Sequence, residues 1–219
     1  MMFEGCRAAH RRLLETVASV TDGDAGRPSR LPGWRVGHVL THLARNAESH
    51  VRMLDAASRG EIADQYAGGV QQRAADIAAG AGRAAADLAE DVRRTVAELE
   101  AAWARTPAEA WATGRGRMAS GAELAVAELP FLRWREVEIH HADLGLAFSH
   151  HDWSEAYVAV ELPRALAELP ERLGPAERRQ LLAWLVGRLE RDGRGGRGLA
   201  ALPALAPWQR EHRAAHREP

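Results

Sequence analysis

One short stretch of the sequence combines residue types that bind metal ions. Glu136 and His140 lie four residues apart, so on a helix their side chains project from the same face. A third candidate ligand, His42, lies far upstream in a segment with helical patterning. A carboxylate and imidazoles from two helices can hold a divalent ion and leave one coordination position open. Because open positions are typical of metals that take part in reactions, these three residues predict a catalytic metal site.

The choice of His42 over the neighbouring His38 depends on helical geometry. At about 100° per residue, the apolar side chains of this segment cluster on one face, and His42 and Asn46 lie on the flank of that face. His38 projects to roughly the opposite side. The spacing of His38 and His42 would also suit a single ion. We expect His42 to point inward and His38 to be solvated.

The second ligand-bearing helix is apolar on almost all sides, which makes its polar cluster unusual. Glu136, His140 and Asp143 fall within about 60° of one another, with Arg133 beside them. Several buried ionisable groups need a cation or one another as partners. Two interpretations stay open. In the first, a metal ion binds and Asp143 accepts the proton on the second ring nitrogen of His140; in the second, Arg133 pairs with Glu136 or Asp143.

Long runs of Ala, Leu, Glu and Arg with few β-branched or aromatic residues predict a mainly α protein. Four long helices are expected, at about residues 3–20, 32–58, 71–105 and 120–148. Gly80 and Gly82 weaken the third helix, and Pro130 should kink the fourth or separate its first turn. Four such helices favour an antiparallel bundle. Glu138 and His141 face away from the polar cluster and are expected at the surface.

The remainder of the chain predicts a smaller region. Residues 154–169 and 175–189 favour two further helices, and residues 191–198 form a linker rich in Gly and Arg. We therefore expect a four-helix bundle over residues 1–150 and a short, mostly helical C-terminal region over residues 151–219.

The composition narrows the possible partners and compartments. A formal net charge of -1 predicts no general attraction to nucleic acid or to membranes. The sequence contains no lysine, which excludes Schiff-base chemistry and phosphate-loop lysines. Its single cysteine, Cys6, cannot form an intramolecular disulfide, which favours the cytoplasm. There is no signal-peptide pattern and no run approaching the ~18 apolar residues of a membrane span.

Two segments resemble the mycothiol-dependent maleylpyruvate isomerases, which lie within the DinB-like superfamily of metal-binding four-helix bundles. The first is LPGWRVGHVLTHLARN at residues 31–46, and the second is REVEIHHADLG at residues 135–145. Asp152, Trp153 and the segment LLAWLVGR at residues 181–188 are also similar to the family. The resemblance covers most of the chain in pieces, and the first two segments together are fairly specific.

The resemblance implies a DinB-like bundle that holds a divalent metal ion, which is zinc in this family. The implied ligands are His42, Glu136 and His140, the same residues that helical geometry favours. Histidine and glutamate ligands suit several first-row metals. The resemblance also implies mycothiol, a low-molecular-weight thiol, as a cofactor and a small carboxylate or electrophile as the substrate.

Residues around the ion are expected to shape the pocket: Asn46, Asp143, Arg133 and Trp34. An arginine in the C-terminal part of such proteins is expected to bind substrate carboxylates, and Arg188 is the candidate here. The family usually has a small α/β domain before this arginine, whereas residues 169–175 lead almost directly into the next helix. The resemblance therefore supports the metal ligands more strongly than it supports the identity of the substrate.

The resemblance favours an isomerase that converts maleylpyruvate to fumarylpyruvate. In that reaction the metal ionises the thiol, and the thiolate adds to the activated double bond. The resulting single bond can rotate, and elimination then returns the trans isomer. Two alternatives stay open: a mycothiol S-transferase that acts on an electrophile, and a non-enzymatic bundle in which the polar cluster is structural.

Overall fold

The computed structural model describes residues 2–185, which are mainly α-helical. The helices are α1 Met2–Val17, α2 Asp22–Ala25, α3 Val36–Ala57, α4 Gly69–Gly80, α5 Ala85–Arg105, α6 Ala108–Thr113, α7 Leu129–Asp143, α8 Glu155–Glu168 and α9 Pro175–Leu185. Two strands, β1 Arg115–Arg117 and β2 Glu123–Ala125, pair as an antiparallel hairpin. The chain divides into two compact units, Met1–Tyr157 and Val158–Pro219. Among the described helices, none combines the length and hydropathy that crossing a membrane requires.

Four long helices of the first unit, α1, α3, α5 and α7, form the bundle. Each packs against two others, in the cyclic order α1, α7, α3, α5. Their apolar stripes meet in a common core because each helix must bury one face. Fully buried core side chains include Leu13, Leu40, Leu43, Leu54, Leu88, Leu99, Trp134 and Val137. The prediction of a mainly α four-helix bundle with a helical C-terminal extension is confirmed.

The helix directions refine the predicted antiparallel arrangement. Helices α3 and α5 run parallel, as two ion pairs show: Arg45 in the middle of α3 pairs with Asp91, and Asp55 near its end pairs with Arg105. Helices α1 and α7 are also parallel, as the contacts His10–Arg133 and Thr16–His141 show. The pair α3 and α7 is antiparallel, as the contacts His42–Glu136 and Asn46–Arg133 show. Consecutive bundle helices α3 and α5 therefore need a connection that returns along the bundle.

Helix α4 provides part of this return and packs against the first half of α3. Two glycines allow the close approach. A Cβ atom at Gly37 would lie 2.2 Å from the Ala81 carbonyl oxygen, and one at Gly80 would lie 2.5 Å from a methyl carbon of Thr41. Both distances are well below van der Waals contact. The side chains of α4 are thereby brought beside the turn of α3 that carries His42.

The predicted third helix, residues 71–105, is two helices in the structure. Helix α4 ends at Gly80, and α5 begins at Ala85 after a short turn. The two glycines at 80 and 82 weaken the helix locally. In addition, the backbone N–H of Ala85 donates to the Asp22 carboxylate at 2.7 Å, so that a side chain of α2 satisfies a donor at the start of α5.

The predicted fourth helix begins later than expected. Residues 120–128 were expected to be helical, but they contain strand β2 and a 3₁₀ turn, Val126–Glu128, before α7 starts at Leu129. The hairpin turn includes Gly121 with φ of +82°, a conformation that favours glycine. Pro130 lies in the first turn of α7, where a missing N–H has no helical partner to lose. Pro130 is predicted to kink this helix or to separate its first turn, whereas in the structure it lies within the first turn of α7, which begins at Leu129.

The hairpin also holds the loop between α3 and α4. Residues of this loop hydrogen-bond to β1, since the Gln65 N–H donates to the Arg117 carbonyl at 2.7 Å and the Arg117 N–H donates to the Ala63 carbonyl at 3.0 Å. Asp64 forms an ion pair with the Arg117 guanidinium at 2.9 Å. These bonds surround Tyr66, which therefore projects from a loop with a defined backbone.

In the second unit, α9 follows the 3₁₀ turn Leu169–Arg172 at the end of α8. The Arg178 side chain connects the two elements by donating to the carbonyl oxygens of Pro170 and Leu173. Helices were predicted at residues 154–169 and 175–189, and the structure has α8 and α9 there as far as Leu185. The predicted linker at residues 191–198 lies outside the described residues. The division into domains at residue 150 stays a prediction.

The contact between α3 and α4 leads to a stability prediction for Gly37→Ala. Alanine normally favours a helix over glycine by roughly 0.5–1 kcal/mol. Here the new methyl group would overlap the Ala81 carbonyl, so we expect the free energy of unfolding to fall by about 1–3 kcal/mol. Urea unfolding measures this change.

Gly82→Ala provides the matched control, because a Cβ atom at Gly82 meets no atom within 4 Å and Gly82 has no positive φ. Its free energy of unfolding should stay within about 0.5 kcal/mol of the original protein. Equal stability of the two alanine variants would contradict the close packing of α4 on α3.

Candidate metal centre

The three predicted ligands come together between α3 and α7. Nε2 of His42 lies 2.9 Å from Oε2 of Glu136, and Nε2 of His140 lies 3.4 Å from the same oxygen. The two imidazole rings are nearly perpendicular, with centroids 4.6 Å apart. One possible ligand atom from each residue lies within 4.8 Å of the other two. The antiparallel packing of α3 on α7 produces this meeting of residues 94 positions apart.

The cluster differs in exposure from one side to the other. His42 and His140 are almost fully buried, with relative exposures of 1% and 2%, whereas the Glu136 side chain is 17% exposed. The carboxylate is therefore the member nearest to solvent. A ligand entering from outside would meet the cluster on its Glu136 side.

Asp143 lies behind His140, on the side away from Glu136. Its Oδ2 atom is 2.9 Å from Nδ1 of His140. A carboxylate at this distance accepts the Nδ1 proton and directs the lone pair of Nε2 toward the cluster when the ring is neutral. This is the geometry expected of a residue that orients a metal-binding histidine.

The pKa values show how the cluster is charged without an ion. Burial lowers the pKa of His42 to about 4 despite its hydrogen bond with Glu136. Burial would also lower the pKa of His140, but hydrogen bonds with Asp143 and Glu136 outweigh it and raise the pKa to about 9. Burial alone would raise the pKa of Glu136, but hydrogen bonds from both histidines hold it well below its usual value. At neutral pH, His140 is therefore a cation between two carboxylates.

The donor set fits a divalent ion. Ligand atoms about 2.1 Å from a tetrahedral ion lie roughly 3.4 Å apart, which is close to the separations around Glu136. Two imidazoles and one carboxylate leave a fourth position for another ligand. The carboxylates of Asp143 and Glu136 on either side of the His140 ring raise its pKa, because they favour a positive charge at this point, and a metal ion bound there would replace the ring proton.

His38 is not part of the cluster. Its Nδ1 atom accepts the backbone N–H of Arg35 at 3.2 Å and so satisfies a donor at the start of α3. The ring is partly exposed and stacks on Trp34, with ring centroids 6.0 Å apart. Trp34 also contacts His42 edge to face, at 5.8 Å between centroids. Trp34 therefore lies beside the first ligand, where it was expected to line the pocket.

Arg133 hydrogen-bonds to Asn46, and none of the hydrogen bonds described for Arg133 goes to a residue of the cluster. Nη1 of Arg133 donates to Oδ1 of Asn46 at 2.7 Å and to the Leu43 carbonyl at 2.8 Å, and Nε donates to Nε2 of His10 at 3.1 Å. Nδ1 of His10 consequently carries a proton and donates to Glu100 at 2.8 Å. Arg133 thus connects three bundle helices.

The alternative interpretation of the polar cluster required Arg133 to pair with Glu136 or Asp143. Among the described residues, Arg133 forms an ion pair with neither carboxylate. Its acceptors are neutral groups, and burial lowers the pKa of the guanidinium. The Arg133 charge therefore does not replace a cation beside Glu136.

Glu138 and His141 are buried, so the prediction that they lie at the surface is wrong. Glu138 accepts hydrogen bonds from Arg12 at 2.6 Å and from the Trp134 indole at 3.0 Å. His141 hydrogen-bonds to Thr16 and stacks on the ring of Phe148. The reason is that α1 covers the face of α7 that carries both residues.

Sequence reasoning missed two residues beside His42. Nη2 of Arg73, on α4, lies 3.3 Å from Nδ1 of His42, and the Arg73 guanidinium lies 5.5 Å from the centroid of the Tyr66 ring. The sequence predicts one continuous helix over residues 71–105, and the contact of Arg73 with α3 depends on the turn that separates α4 from α5. Arg188, the arginine predicted to bind substrate, lies outside the described residues.

The described residues form a four-helix bundle with a cluster of two histidines and one carboxylate, and the fold can be compared with those of known proteins. A family model described as "Mycothiol maleylpyruvate isomerase N-terminal domain" matches residues 6–145. The crystal structure of the mycothiol-dependent maleylpyruvate isomerase is 25% identical, with a TM-score of 0.73, over 79% of this chain and 72% of that chain. A histidine-to-alanine mutant of that enzyme gives 25% identity, a TM-score of 0.72 and the same coverage. No curated protein matches the sequence.

The chain belongs to the mycothiol maleylpyruvate isomerase N-terminal domain family, because the family model matches more than half of its length. The prediction of this family is confirmed, and so is the prediction that the chain is an enzyme. All three residues of the cluster lie inside the matched range.

The geometry predicts that the purified protein binds about one divalent ion per chain. His42→Ala and Glu136→Ala each remove a ligand, and we expect both variants to lose most of the bound metal. Elemental analysis after dialysis against trace zinc measures the content.

His38→Ala provides the control on the same helix, because His38 lies one turn from His42 and contacts the Arg35 backbone instead. It should retain the metal. Equal metal content in His38→Ala and His42→Ala would contradict the assignment of His42 as the ligand on α3.

Metal binding should also release a proton from His140. The His140 pKa of about 9 means that the ring is protonated at neutral pH, and a ligand must be neutral. The apparent affinity should therefore rise about tenfold per pH unit between pH 7 and 8, and level off above about pH 9. Calorimetric titrations of zinc in buffers of different ionisation enthalpy measure the released proton. An affinity independent of pH across this range would contradict a protonated His140.

Proposed function

We propose that this protein is a metal- and mycothiol-dependent isomerase of the maleylpyruvate type. The observation that carries the proposal is the cluster of His42, Glu136 and His140, which has the donors and the open side that a catalytic ion needs. The family match and the solved mycothiol-dependent maleylpyruvate isomerases support the choice of reaction. We include zinc as the ion and the cytoplasm as the location, since a thiol cofactor is kept reduced there.

The charges of the ligands suit an ion that activates a thiol. Glu136 contributes one negative charge and two neutral histidines contribute none, so the centre with a divalent ion keeps a positive charge. That positive charge would favour the thiolate form of a bound thiol, the form that can add reversibly to a conjugated double bond.

The protein's own residues would keep the centre in its active form. Asp143 accepts the Nδ1 proton of His140 and so fixes the orientation of the ring. Burial keeps His42 neutral at physiological pH. Trp34 covers one edge of the His42 ring and limits the access of water from that direction.

The test measures whether the reaction requires the thiol and whether the product is the trans isomer. Zinc-loaded protein should convert maleylpyruvate to the trans isomer only when mycothiol is present, and proton NMR distinguishes the two isomers. His140→Ala should reduce the rate to near background because the centre loses one of its three ligands, whereas His38→Ala should retain activity.

Two outcomes would contradict the proposal. One is a protein with a full complement of zinc and no thiol-dependent isomerisation. The other is accumulation of a stable conjugate of mycothiol with an electrophile, detected by mass spectrometry, because that product would indicate an S-transferase instead.

A further inference from the structure

Arg73 is a cationic side chain directly beside the metal cluster. It projects from the second turn of α4 toward α3, where Nη2 lies 3.3 Å from Nδ1 of His42. Its guanidinium lies over the ring of Tyr66 at 5.5 Å. Tyr66 projects from the loop that hydrogen-bonds to β1. The guanidinium is therefore held between a fixed aromatic ring and the first ligand.

The charge of Arg73 has no carboxylate partner among the described residues. Other partly buried arginines of the bundle differ in this respect, since Arg45 and Arg83 both pair with Asp91. Arg73 instead donates to a neutral imidazole nitrogen, which is a weaker acceptor than a carboxylate. An arginine at such a position can accept an anionic ligand without breaking an existing ion pair.

The present partner of Arg73 is also incompatible with an ion on His42. Because arginine can only donate, Nδ1 of His42 accepts in this structure, and the ring proton is on Nε2, facing Glu136. A histidine that ligates through Nε2 carries its proton on Nδ1 and cannot accept there. Occupation of the centre would therefore free the Arg73 donor for another acceptor close by.

We propose that Arg73 binds a carboxylate of the substrate beside the metal centre, while the ring of Tyr66 packs against the guanidinium. This inference depends on the proposed function for the identity of the substrate, a small dicarboxylate with a double bond. The planar guanidinium matches a carboxylate with two parallel hydrogen bonds, which fixes orientation as well as position. One substrate carboxylate on Arg73 would hold the reacting double bond near the open side of the cluster.

The test measures binding without the reaction. Maleate is titrated calorimetrically into zinc-loaded protein with no thiol present, so that no isomerisation takes place. Arg73→Gln should weaken maleate binding by about tenfold or more, because a charged hydrogen-bonding partner is lost. Arg73→Lys should show a smaller loss, since the charge remains but the paired geometry does not.

Arg11→Gln is the matched control for net charge. Arg11 is exposed on α1, which contributes no residue to the cluster, and it has no ion pair among the described residues. This variant should bind maleate like the original protein. Zinc content and the urea midpoint of each variant verify that the centre and the fold are intact, and Arg73→Lys serves if Arg73→Gln does not fold.

The result that would overturn the inference is undiminished maleate binding by zinc-loaded Arg73→Gln, or no maleate binding by the original protein. Either result is independent of catalysis. If maleate binding requires Arg73 but the protein does not isomerise maleylpyruvate with mycothiol, the proposed function fails and the carboxylate site remains.

Discussion

The hydrogen bonds of the Glu136 carboxylate are the interaction on which the site depends. They join α3 to α7 through His42 and His140, two side chains that are almost completely buried. A carboxylate in such surroundings is stable as an anion only when positive charge or strong donors compensate for lost hydration. In this protein a protonated His140 supplies the charge. The same requirement makes the cluster a good host for a divalent ion, since the ion takes over a role that the protein already fills with a proton.

Arg133 explains why the compensation comes from histidine and not from arginine. Its guanidinium is buried one turn from Glu136, but its hydrogen bonds go to acceptors on α1 and α3 instead of to the carboxylate. This arrangement connects three helices without neutralising the Glu136 carboxylate. A direct ion pair between Arg133 and Glu136 would compensate the carboxylate charge with a side chain, whereas the observed arrangement leaves Glu136 to the two histidines.

The parts of the fold that could be predicted are those that a single helix determines. Periodicity alone distinguished His42 from His38 and grouped Glu136 with His140, because both conclusions depend on angles within one helix. Residues whose surroundings depend on other elements could not be predicted in the same way. Glu138 and His141 are buried by contacts with other elements, among them α1, and residues 120–128 form a turn and a strand because β2 pairs with β1. Arg73 belongs to this second group.

The topology of the bundle connects these observations. Because α3 and α5 run parallel, the chain between them must return along the bundle, and α4 is part of that return. A strictly alternating bundle with short loops would leave the outer face of α3 open to solvent beside His42. Here the return segment covers that face and brings Arg73 and Tyr66 to the edge of the cluster. The return segment that the topology requires therefore also places a cation next to the cluster.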